Sequence, residues 1–115
     1  MSRIKAPLSP IVLTTSLQTI YTVPKGTKAK DISFDMLNTD TTNAIGITTH
    51  FIVAGGSATA SNQITTELSP NGLILAPNEW RPVAMDQALD ADGFIQMKAS
   101  VTAKVTIHTT VNEYV

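Results

Sequence analysis

From Ile11 onward the chain is built of short stretches in which apolar and polar residues alternate, punctuated by turn residues. Ile32, Phe34 and Met36 alternate with Ser33, Asp35 and Leu37, a period of two that reads as a half-buried strand. Ile45, Ile47, Thr49, Phe51 and Val53 share one face of the next stretch, with Gly46, Thr48, His50 and Ile52 on the other. The last stretch sets Val101, Ala103, Val105, Ile107, Thr109 and Val111 against Thr102, Lys104, Thr106, His108 and Thr110. Shorter strand candidates are 11–15, 18–23, 63–68, 73–76, 80–85 and 94–99. Between them, Pro24-Lys25-Gly26-Thr27, Ser69-Pro70-Asn71-Gly72, Ala76-Pro77-Asn78-Glu79 and Asp90-Ala91-Asp92-Gly93 read as tight turns. Only Val83–Ala91 has room for helix, and then for a single turn. About eight short strands with turn signals every ~10 residues predict an all-β fold, a single antiparallel β-sandwich of jelly-roll type.

The first ten residues differ. Pro7 and Pro10 cannot donate to a sheet ladder, and Arg3 and Lys5 are charged, so residues 1–10 read as an extended N-terminal arm ahead of a sandwich domain at 11–115. The arm must lie on its own sandwich or on a neighbour. Gly55–Asn62 is a low-complexity stretch that reads as a flexible exposed loop.

Composition sharpens this picture. In 115 residues there are 8 basic and 9 acidic side chains, a balance that argues against duplex nucleic acid as a partner. Charged residues make up only 15% of the chain, and the polar surface comes from 17 threonines, which suit a pleated surface. With no cysteine, disulfides, thiolate nucleophiles and Cys-based zinc sites are excluded. No apolar run nears the ~20 residues of a membrane span, and residues 1–7 lack a secretory apolar core. The expectation is a protein made in a cytosol, or kept in a particle assembled there, without a membrane partner.

Candidate chemistry is sparse. His50 and His108 each lie opposite the main apolar stripe of their strand and read as surface or interface imidazoles ahead of a metal pair or general base. Asp86, Asp90 and Asp92 crowd a loop, but Gly93 follows Asp92 directly and Phe94 opens a strand, so turn formation outranks calcium. The three glutamates, Glu67, Glu79 and Glu113, sit in no catalytic motif, and Gly55-Gly56-Ser57 is no phosphate cradle. The sequence indicates no enzyme, cofactor or metal. Trp80, the lone tryptophan, reads first as a core residue, and as a partner-facing anchor if exposed.

The stretches Leu13–Thr27, Asn38–Thr42, Ile52–Ala58 and Val105–Tyr114 resemble small β-structured virion proteins of tailed bacteriophages. The resemblance covers most of the chain from residue 13, leaves the arm outside it, and rests on turns and strands. It implies a structural virion component on the capsid surface: first a decoration or cement protein clamping major capsid subunits, second a tail, collar or fibre component. Partners would be the major capsid protein or other virion proteins, with self-association as dimer or trimer. Arg3, Ile4, Lys5 and Pro7 of the arm, with Trp80, are the candidate interface residues. The tail or fibre reading instead puts a host-surface glycan near Trp80 and loop 55–62.

Overall fold

The computed structural model describes residues 2–4, 9–65, 73–85 and 88–114. Ten strands are formed: β1 (Ser2–Ile4), β2 (Ile11–Val12), β3 (Gln18–Thr22), β4 (Lys28–Asn38), β5 (Ile45–Ile52), β6 (Gln63–Thr65), β7 (Leu73–Leu75), β8 (Trp80–Met85), β9 (Phe94–Ala99) and β10 (Val105–Tyr114). They divide into two antiparallel sheets. Sheet A runs β1-β10-β4-β8, with β2 also on β10; sheet B runs β3-β9-β5-β6, with β7 also on β5. Both β1 and β2 pair with β10, at Asn112–Tyr114 and at Thr106–Ile107, so together they form one interrupted edge strand. The pair β6 and β7 does the same along β5. Counted that way there are eight strands, ordered 1-8-3-6 in one sheet and 2-7-4-5 in the other, which is the jelly-roll topology.

The predicted sandwich is therefore present. Its core fills the space between the sheets with Ile32, Phe34, Met36, Val105, Ile107 and Val111 from sheet A and Ile45, Ile47, Phe51, Ile95 and Met97 from sheet B. Burying each of these large side chains contributes about 1.5–3 kcal/mol relative to exposure.

Three boundaries depart from the alternation. First, β4 begins at Lys28, because Asp31 adopts φ +52 where the register against β10 slips between Thr110 and Asn112. The bulge inserts one residue and inverts the phase, so Ala29 and Ile32 both face inward. Second, β10 starts at Val105: Ala103 takes φ +65, and its N–H reaches Leu13 O at 3.0 Å, so 101–104 turn the chain instead of extending it. Third, Val83–Met85 belong to β8 and Leu89 bridges to Ala29, so the described part of 83–91 holds no helical turn. Of the predicted turns, Pro24–Thr27 closes with Thr27 N–H on Pro24 O at 3.2 Å and Gly26 at φ +74, a conformation glycine takes without strain.

Two polar links tie the sheets together at opposite ends. At one end Tyr21 of β3 donates to Glu113 of β10 across the core. At the other, the Asn38 amide donates to Asn43 O, Leu75 O and Ala76 O at 3.0–3.2 Å, while its Oδ1 accepts from Asp40 N–H at 2.9 Å.

Candidate functional site

The outer faces of the two sheets are finished differently. In β5 all eight residues are buried, including His50 and Ile52 on the side away from the core. The segment after β5 turns back over this face. Gly56 sits so close that a Cβ would stand 3.2 Å from Ile52 Cγ2, and a single 3-10 turn, Ala60–Asn62, presents Asn62 to His50. The His50 Nδ1 to Asn62 Oδ1 distance is 2.8 Å. Asn62 Nδ2 donates to Ser57 O, which fixes the amide orientation; Oδ1 is therefore the acceptor and His50 Nδ1 carries the proton. His50 is thus a buried, hydrogen-bonded residue, contrary to the surface position expected of it. Segment 55–62 is exposed as expected, yet its backbone is held by these bonds.

The outer face of sheet A carries no such cover among the described residues. Its interior-facing partners in β4 are Ile32, Phe34 and Met36, so Ser33, Asp35 and Leu37 point outward. Strand register then aligns four side chains in one row: Val12 opposite Thr106, Thr106 opposite Leu37, and Leu37 opposite Trp80. Three of them are large and apolar, with 49% (Val12), 37% (Leu37) and 60% (Trp80) of their surface exposed. The next outward row places His108 beside Asp35 and Asp35 beside Pro82.

Trp80 is positioned by the turn before it. Glu79 N–H closes onto Ala76 O at 3.0 Å, Asn78 takes φ +59, and the Glu79 carboxylate accepts Ala76 N–H at 2.7 Å and Arg81 Nε–H at 2.8 Å. The Ala76 amide and then Arg81 hold the Glu79 carboxyl below the usual glutamate range. The expectation that Trp80 lies in the core is overturned: β8 is an edge strand whose inward positions go to Val83 and Arg81. Pro82 lies on this edge, where a missing N–H costs no ladder bond and discourages pairing by another strand.

Of the other candidate interface residues, Arg3 and Ile4 lie in β1, opposite Glu113 and Asn112 of β10. Lys5 and Pro7 lie outside the described residues, as does Asp86. Asp92 adopts φ +66 and meets Lys25 at 3.1 Å, and Asp90 meets Lys28 at 3.6 Å, so these carboxylates shape a turn and face lysines. Among the described residues no three acidic or histidine side chains are grouped to hold a metal ion. A hollow of about 280 Å³ is lined by Val53, Ala54, Ala88, Leu89, Asp90 and Ala91. Nor do Trp80 and loop 55–62 share a site, for they lie on the outer faces of opposite sheets.

The fold recurs in a bacterial appendage. The chain is similar to one in a solved structure described as Bacillus endospore appendages that form a novel family of disulfide-linked pili, with a TM-score of 0.52. Identity is 14%, over 99% of this chain and 86% of that one, a level at which the likeness is one of fold. No protein-family model and no curated protein matches the chain.

Proposed function

We propose that the protein is a non-enzymatic structural subunit of a regular protein assembly, in the form of a decoration subunit that clamps neighbouring major capsid subunits of a phage virion. The observation that carries this reading is the exposed row Val12–Leu37–Trp80, with Thr106 between Val12 and Leu37, on the outer face of sheet A. A row without charged side chains can be desolvated at low cost, and an exposed tryptophan beside aliphatic neighbours has the character of an interface anchor. The pilus-like neighbour supports the broader part of the reading, since its sandwich belongs to a structural appendage. Its disulfide linkage has no counterpart here, because the chain contains no cysteine.

In this reading the first residues, with Arg3, Ile4, Lys5 and Pro7 as the candidates, add to the joint; Arg3 and Ile4 of β1 lie on the β10 edge of the same sheet. A tail, collar or fibre subunit is the second form of the proposal. The glycan site at Trp80 and loop 55–62 is dropped, because those elements lie on opposite faces.

Immunogold electron microscopy of the producing cells, using antibody raised against the purified protein, tests the proposal. Regular label on particle shells is expected. Label confined to tails or fibres selects the second form, and diffuse label with clean particles overturns both.

A further inference from the structure

The outer face of sheet A is self-complementary. We infer that two copies of this chain pack sheet A against sheet A, about a two-fold axis running along the strands between β10 and β4; this rests on the structural-subunit reading above and names a partner for its docking face.

The strand order β2-β10-β4-β8 decides the geometry. A two-fold axis placed there exchanges β10 with β4 and β2 with β8 while keeping each residue in its own row. Val12 of one copy then faces Trp80 of the other, and Thr106 faces Leu37. In the second row, His108 faces Asp35 of the other copy, and Asp35 faces its His108. Each exposed apolar side chain in these rows meets an apolar or threonine partner, and the carboxylate meets an imidazole. No like charges oppose, which is what an isologous interface requires. Twist does not spoil the fit. A twisted sheet is saddle-shaped, and rotation about an axis along its strands returns the same saddle, so the two faces stay at constant separation.

The area is sufficient for a reversible pair. With β4 and β10 at 11 and 10 residues, standard strand spacings give a face of roughly 500 Å² per copy. Two copies cover about 1,000 Å² in flat projection, at the threshold of a specific interface. A face of that size belongs to weak, reversible pairing, suited to a subunit whose contacts are multiplied in an assembly.

Sedimentation velocity of the full chain from about 1 μM to 1 mM reads the pairing, and a reversible monomer–dimer equilibrium is expected. Trp80→Asp raises the dissociation constant at least ~10-fold. Asp35→Lys raises it ~3–10-fold, and Asp35→Lys combined with His108→Glu returns it to within about threefold of the parent, because a lysine and a glutamate then face each other across the axis. All three positions are exposed in the single copy, and Asp35 and His108 are also cross-strand neighbours within it, so unfolding midpoints move only slightly. A chain that remains monomeric throughout overturns the pairing without touching the particle-labelling result. A dimer indifferent to Trp80→Asp, or one not rescued by the charge exchange, overturns it as well.

Discussion

Tyr21 and Glu113, 92 positions apart in the chain, meet in the core: the phenol of β3 donates to the carboxylate of β10 at 2.5 Å. Each comes from a different sheet, so the bond pins one end of the sandwich. Burial first, and the neighbouring carboxylate second, push the Tyr21 hydroxyl well above the usual tyrosine range.

Tyr21→Phe removes one donor from a buried carboxylate and is expected to cost about 1–3 kcal/mol, read from chemical denaturation at neutral pH. The raised value also sets an alkaline limit. An unfolded tyrosine ionises near pH 10 while the folded one stays protonated, so this group's stabilisation is intact below about pH 10 and declines as pH rises beyond it. The Phe variant lacks that part of the alkaline decline.

Asp40 sets an acid limit by the opposite sign. Its carboxylate accepts the Thr42 and Asn43 amides at 2.9 and 3.0 Å, together with the Asn43 and Thr42 side chains, and these bonds hold its pKa down at about 2. The stabilisation is present above the unfolded value near pH 4 and is lost as pH falls towards 2. Asp40→Asn is therefore less stable than the parent at pH 7, and the two unfolding midpoints converge as the pH approaches 2.

Gly93 is required for space. A Cβ there would stand 3.0 Å from Asp90 O and 3.2 Å from Ile52 O, both backbone atoms. Gly93→Ala is expected to destabilise by about 1–3 kcal/mol, measured by thermal or urea unfolding, with Gly55→Ser as the contrasting case in open space. Because Gly55 has φ +76, its substitution costs only the backbone strain of an αL residue, about 1 kcal/mol.

Much of this fold was legible where period-two alternation runs unbroken. The strands 80–85 and 94–99 end where their patterns end. The same alternation already placed Leu37 opposite Ile32, Phe34 and Met36, and a strict reading of 80–85 puts Trp80 on the side opposite Val83. What a single strand cannot show is that Val12, Leu37 and Trp80 fall in one row, since that depends on register across four strands. Glu113 was within reach: continuing Val105, Ile107, Thr109, Val111 by two residues puts it on the inward face, though a carboxylate there makes sense only once Tyr21 is seen opposite it. The Asp31 bulge and the burial of His50 were hidden for different reasons. The first is a positive φ at a non-glycine residue, and the second depends on a loop folding back across a sheet.

Trp80 is the only tryptophan, so its fluorescence reports on the proposed docking face without interference. Acrylamide quenching of Trp80 should be efficient in the dilute protein and strongly reduced in the same protein on its native particles. Equal quenching in the free and assembled states would show that sheet A's outer face stays in water, and would contradict the account.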